Sequence, residues 1–233
     1  MSIRKKVDIS AYFVIGPENT KNRSVMPIIQ AVIEAGYTCI QIRSKTVTAL
    51  ELVELTRQTA DLIAQAGLAD YVTLLVDDRL DVVLTAREQG VKVDGIHVGQ
   101  ADIPVEVCRK YLGDSAIIGL SARTNDLFNY VKTADVSQID YFGVGPLHET
   151  QTKFDCGLES DGRVITRSLD EIATLVKMSP IPIVVGGGVK LADIPSLAKT
   201  GAHGFFVVSA ISEADDPKAE AIKLAEAWRA NVR

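Results

Sequence analysis

A closed (β/α)8 barrel is the fold class predicted for these 233 residues, and three observations carry it. Short runs rich in β-branched and aromatic residues recur eight times along the chain. Segments with helical spacing separate them, and polar or glycine-rich residues collect where the runs end. Alternating βα units imply a parallel sheet joined by right-handed crossovers. Eight units in a chain of this length suit a single closed barrel, somewhat compact against the usual ~250 residues. The rival, a doubly wound open sheet, usually has fewer strands and a glycine-rich turn after the first. Here the first run ends in "GPEN", with no G-x-G-x-x-G following.

In chain order the predicted strands are Tyr12–Gly16, Cys39–Arg43, Thr73–Asp77, Gly95–Gly99, Ala116–Ser121, Asp140–Gly145, Ile181–Gly187 and Gly204–Ser209. After the second, "TALELVELTRQTADLIAQAG" places Leu52, Leu55, Thr59, Leu62, Ile63 and Ala66 on one stripe and stops at Gly67. "LADIPSLAKTG" is similar, and "DPKAEAIKLAEAW" opens on Asp216 as N-cap with Pro217 at the first helical position. No linker, repeat or low-complexity segment divides the chain, which reads as one domain over 1–233. The one long irregular stretch, 148–166, is expected to be a mobile active-site loop.

Composition narrows the function classes. A net charge of −5 argues against non-specific nucleic-acid binding. "MSIRKKVDIS" is not followed by an apolar run, so it does not read as a secretory signal, and no stretch of 18 apolar residues exists. Cys39, Cys108 and Cys156 lack zinc-site spacing and read as reduced thiols of a cytoplasmic protein. Cys39 reads as a small core residue.

In a barrel the active site lies at the C-terminal ends of the strands. Strand two ends in Gln41, Arg43 and Lys45, and strand three in Asp77 and Asp78. Strand four runs into Gln100 and Asp102, strand five ends in Ser121, and strand six leads to Thr150, Thr152 and Lys153. Strand seven ends in Gly186 to Gly188, and strand eight in Val208 and Ser209. Glycines after strand seven with a serine after strand eight resemble a phosphate site, where backbone N–H groups can close on the oxygens; the plainer alternative is that the glycines only make a tight turn. Asp78 and Asp102 beside Arg43, Lys45 and Lys153 suit a Mg²⁺ that takes its other ligands from water and a substrate's phosphates. The bland alternative is that these acids form structural ion pairs with Arg43, Lys45 or Arg79. Adjacent strand side chains point to opposite faces, so Asp77 and Asp78 are expected to do different work. His97 reads as a satisfied strand residue, His203 lies at the wrong end of the barrel, and His148 is a minor candidate. No Ser/His/Asp arrangement, reactive thiol or strand-buried lysine is visible.

"QIRSK", "VDDRLDV", "GIHVGQADIP", "IIGLSA", "GVGPLHETQTK", "IPIVVGGGV" and "GFFVVSAIS" together resemble the thiamine-phosphate synthase family, in register from about Tyr12 to Trp228. The ordered set Q-x-R-x-K, D-R, G-Q-x-D and T-x-T-K is the specific part. The resemblance implies a transferase joining 4-amino-2-methyl-5-hydroxymethylpyrimidine diphosphate to 4-methyl-5-(2-phosphoethyl)thiazole, or its carboxylated form, with release of pyrophosphate. It implies that Gln41, Ile42, Arg43, Ser44, Lys45 and Lys153 hold the diphosphate, that Asp78 and Asp102 ligate Mg²⁺, and that Ser121 positions the pyrimidine. Thr150, Gln151, Thr152, Gly188, Val208 and Ser209 would hold the thiazole phosphate. Arg43, Lys45, Lys153 and Ser121 would then carry catalysis, since a dissociative reaction needs charge on the leaving group rather than a base. The implied partners are the two small-molecule substrates, with neither nucleic acid nor membrane; a homo-oligomer stays open.

Two departures stand out. Asp77 occupies a position where the family usually has Asn, lining the diphosphate pocket. "LHE" precedes the first threonine of T-x-T-K, where proline is more usual. Two rivals remain: a thiazole tautomerase-like paralogue, which would need a histidine near the end of strand five, and a non-catalytic phosphate-binding barrel.

Overall fold

The computed structural model describes residues 7–122, 126–149 and 165–232. Eight parallel strands close into a barrel in sequence order: β1 (Ala11–Ile15), β2 (Cys39–Ile42), β3 (Thr73–Asp77), β4 (Gly95–Val98), β5 (Ile117–Ser121), β6 (Tyr141–Val144), β7 (Ile183–Val185) and β8 (Gly204–Val207). Closure is made by β1 against β8, with Ala11 opposite Phe205 and Phe13 opposite Val207. The expected strands are all present, shortened by a residue or two at most ends. β7 is the most trimmed, because positive φ at Gly187 and Gly188 turns the chain out of the sheet.

Outside the barrel lie α1 (Val25–Glu34), α2 (Ala49–Gln65), α3 (Leu80–Glu88), α4 (Val105–Leu112), α5 (Leu127–Thr133), α6 (Leu169–Met178), α7 (Ile194–Lys199), α8 (Ser209–Ser212) and α9 (Pro217–Asn231). Their starts follow local chemistry. Thr48 and Glu51 form a reciprocal capping box on α2, Ser168 and Glu171 do the same for α6, and Asp216 accepts from Ala219 N ahead of Pro217 on α9.

The period-two alternation of each strand divides the interior into two cores. Outward residues such as Ile40, Ile42, Leu74, Val76, Ile118 and Phe142 pack against the helices in one large cluster. Inward residues Tyr12, Val14, Cys39, Leu75, Ile117, Tyr141 and Val184 fill the barrel. Cys39 and Cys108 are buried and free. At the N-terminal end the αβ turns are tied by Arg109, whose guanidinium pairs with Asp140 at 2.7 Å and donates to the carbonyls of Ala116 and Gln138. The opposite end is where the polar strand termini gather.

Candidate active site

At the mouth, β2 and β3 deliver the first group of charges. Gln41 points into the barrel and donates its amide N–H to Asp77 Oδ1, while Arg43 Nε lies 3.1 Å from Asp77 Oδ2. Asp77 is therefore held between a buried amide and a half-buried guanidinium, whose charge opposes the one that the family's usual Asn lacks. This ion pair engages Nε of Arg43, which leaves the two terminal nitrogens of the guanidinium for a further anion.

Asp78 does not continue the strand. Its φ of 58° puts it in the left-handed region, and its N–H donates to His97 O at 2.8 Å. An aspartate tolerates this conformation better than most residues. Strand alternation therefore fails at this point, and the two acids do not face opposite ways as expected. The carboxyl of Asp78 turns toward Lys45 and lies against the carboxyl groups of both Asp77 and Asp102. Burial works to raise the Asp78 carboxyl, but the Lys45 ammonium and its other partners outweigh burial and hold it at about 2. Asp102 moves the other way, raised by burial and then by the Asp78 charge beside it. Its Oδ2 also accepts from Gly99 N at 2.9 Å, which fixes the turn after β4.

Asp78 Oδ1 is buried with no hydrogen-bond partner among the described residues. An orphaned carboxylate oxygen beside a second carboxylate fits a divalent cation. Among the described residues no group of three or more His, Cys, Asp or Glu side chains is disposed to hold a metal ion by itself. A cation here would complete its shell with water and substrate oxygens.

Several residues that the sequence did not single out support this mouth. Glu18, in the turn after β1, accepts from Ser44 Oγ at 2.9 Å and from Lys45 N at 2.7 Å. The side chain of Ser44 is thus a buried knot in the β2 loop, and Ile42 faces the outer core, so these two could meet a ligand only through their backbones. His97 is satisfied, as expected, but its partners lie in the mouth: Nδ1 is 2.9 Å from Tyr141 Oη and Nε2 is 3.0 Å from Ser121 Oγ. The period-two pattern that sends Gln41 and Asp77 inward also sends Tyr12, His97 and Tyr141 there. That pattern is the signal that could have found them.

Gly188 has φ +73°, and a Cβ there would lie 2.8 Å from His148 Cβ, so glycine is required on both counts. Val208 packs on the inner cluster and precedes α8, which begins at Ser209. His148 Nε2 lies 2.9 Å from Asp193 Oδ2, which also accepts from Lys190 N, so this histidine braces the β7 loop. His203 is at the far end, where Nδ1 accepts from Ile183 N. Thr150, Gln151, Thr152 and Lys153, Cys156 and most of the expected 148–166 loop lie outside the described residues.

Comparison with known proteins identifies the family. Residues 11–211 match the family model described as thiamine monophosphate synthase. A thiamine-phosphate synthase of Corynebacterium efficiens is 35% identical over 222 residues, covering 95% of this chain and 96% of that protein. One of Moorella thermoacetica is 37% identical over 215 residues, covering 92% and 93%. Two solved structures share the fold. A thiamine phosphate pyrophosphorylase from Pyrococcus furiosus has a TM-score of 0.77 at 24% identity over 98% of this chain and 99% of that one. An orotidine 5'-phosphate decarboxylase from Pyrococcus horikoshii has a TM-score of 0.62 at 13% identity over 93% and 99%. On the extent and identity of the sequence matches, the chain belongs to the thiamine monophosphate synthase family of transferases.

Proposed function

We propose that this chain is a cytoplasmic, Mg²⁺-dependent enzyme that alkylates the thiazole phosphate nitrogen with the pyrimidine diphosphate, using the mouth residues in the roles the family pattern suggests. The observation that carries the reading is the meeting of Arg43, Lys45, Asp78 and Asp102 at one strand-end cluster beside Ser121. Among the described residues Cys39 and Cys108 are free and buried, and no helix is long and apolar enough to cross a membrane.

The bond that breaks joins carbon to the bridging oxygen of the diphosphate, and that carbon sits on an electron-rich aminopyrimidine. The pair of electrons leaves with pyrophosphate, and the thiazole nitrogen then supplies its lone pair to the same carbon. No strong base is needed, and among the described residues the two histidines at this end, His97 and His148, are both hydrogen-bonded. Arg43 and Lys45 would hold the diphosphate oxygens as negative charge develops on them. Lys153 and the Thr150–Thr152 segment would complete that side and the thiazole phosphate site. A Mg²⁺ held by Asp78 and Asp102 would neutralise charge on the departing pyrophosphate. Ser121 would orient the pyrimidine, while the Gly188 turn and the Val208–Ser209 backbone would take the thiazole phosphate. Holding both substrates in contact can remove roughly 7–11 kcal/mol of barrier.

Asp78→Ala and Asp102→Ala test the metal reading directly. Each should weaken Mn²⁺ binding, read by electron paramagnetic resonance of the free ion, and lower turnover by at least about 100-fold. Full activity with unchanged ion binding in either variant would remove that residue from the metal site.

A further inference from the structure

Inside the barrel, one line of hydrogen bonds crosses from β3 to β5. Asp77 Oδ1 meets Gln41 Nε2, Gln41 Oε1 meets Tyr12 Oη, and Tyr12 Oη lies 2.8 Å from Tyr141 Oη. Tyr141 Oη is 2.9 Å from His97 Nδ1, and His97 Nε2 is 3.0 Å from Ser121 Oγ. Tyr12 and Tyr141 are fully buried and Gln41, Asp77 and His97 nearly so.

We infer that Asp77 sets the direction of this line, fixing His97 as the Nδ1–H tautomer and leaving Ser121 Oγ as a hydrogen-bond acceptor toward the substrate. Asp77 Oδ1 accepts from Gln41 Nε2, and the Arg43 guanidinium, 3.1 Å from Oδ2, favours the carboxylate that presents itself to Gln41 as an acceptor. Gln41 must therefore turn its NH2 to Asp77 and its carbonyl to Tyr12, because the opposite flip would set two acceptors face to face. Tyr12 then spends its single O–H on Gln41 and can only accept from Tyr141. Tyr141 spends its O–H on Tyr12 and can only accept from His97 Nδ1–H. In neutral His97 this leaves Nε2 with a lone pair, which takes the Ser121 hydroxyl proton. The oxygen of Ser121 is left with its lone pairs for an N–H donor. An asparagine at 77 could offer Gln41 either its oxygen or its NH2 and would not impose this order.

The barrel is shaped around the line. A Cβ on Gly119 would come within 2.2 Å of the Tyr141 ring and 2.5 Å of His97 Nδ1, and one on Gly143 within 3.1 Å of His97 Cε1. Bare backbone on both neighbouring strands makes room for these rings and presses them together. Asp77 and His97 are thus positioning residues, acting through Ser121. The substrate side rests on the synthase reading, in which the N–H that Ser121 meets is the pyrimidine's amino group. A hydrogen bond accepted there strengthens as the ring gives up electron density, so it favours departure of the diphosphate.

The test is made on resting protein, without substrates. Uniformly ¹⁵N-labelled protein is studied by long-range ¹H–¹⁵N correlation of its three imidazoles at mildly alkaline pH, where an ordinary imidazole is neutral. His97 should appear as one tautomer, protonated at Nδ1. Asp77→Asn should lose that single signature and show a mixed population. Tyr141→Phe should do the same by cutting the line in the middle, with the ring packing kept. An Nε2–H tautomer in the wild type, or a pure Nδ1–H tautomer retained in either folded variant, would overturn the inference. Because no turnover is measured, the result is separate from whether the chain makes thiamine phosphate.

Discussion

Glu18 touches no reacting atom in the proposed reaction, yet its loss should cost the enzyme its grip on the diphosphate. One carboxylate oxygen holds both Ser44 Oγ and Lys45 N, and Ser44 Oγ in turn accepts from the N–H groups of Thr46 and Val47 at 3.2 Å each. Glu18→Ala removes the anchor of the segment that presents Arg43 and Lys45. Glu18 is exposed, so its two hydrogen bonds are worth about 1 kcal/mol each, or about 2 kcal/mol together. Removing about 2 kcal/mol shifts the balance between placed and displaced segment about 30-fold, so the apparent KM for the pyrimidine diphosphate rises, by at most about 30-fold. Once the diphosphate is bound the segment is in place, so kcat should stay near the wild-type value. Initial rates of pyrophosphate release, at saturating thiazole phosphate and varied diphosphate, measure both constants. The thermal midpoint should move by no more than about 8 °C, twice the shift for 1 kcal/mol in a chain of this size. Glu18→Gln keeps an acceptor oxygen and should recover most of the loss. An unchanged KM, or a fall in kcat alone, would refute loop placement as the role of Glu18.

Three further outcomes are expected. Arg109→Met strands the buried Asp140 charge and should cost about 3–5 kcal/mol in urea denaturation, with activity per folded molecule unchanged. Gly188→Ala forces a left-handed residue against His148 and should raise KM for the thiazole phosphate about tenfold, leaving KM for the diphosphate little changed. Asp78 has its folded-state pKa depressed to about 2, so its contribution is present above the unfolded value near 4 and is lost as pH falls from there toward 2. It amounts to about 2 kcal/mol at most, since the raised Asp102 opposes it. Urea midpoints should fall less steeply between about pH 5 and pH 3 in Asp78→Asn than in wild type, and identical slopes would contradict the assignment.

The barrel was legible because each strand is a short apolar run bounded by turn residues, and closure needs only eight of them in order. Arg43, Lys45, Asp78 and Asp102 were legible as strand-end residues for the same reason. What sequence could not supply was pairing across distance. Glu18 reaches a loop 26 residues further on, and Tyr12 meets Tyr141 across 129 residues. Those contacts depend on barrel closure and on which face each side chain takes. The reading of Asp77 and Asp78 as opposed neighbours went astray because it assumed extended backbone, and a left-handed Asp78 brings both acids to one mouth. The family resemblance implied Ser44 as a ligand contact because it lies within the Gln41–Lys45 run, but its hydroxyl is committed to Glu18 and the loop.

The most direct test of the whole account is a single incubation. Purified protein is mixed with the pyrimidine diphosphate and the thiazole phosphate, with and without Mg²⁺, and thiamine phosphate and pyrophosphate are quantified together. Equal amounts of both products, formed only with a divalent ion, are the predicted result. Neither product under any divalent ion, or full turnover in the presence of a metal chelator, would contradict it.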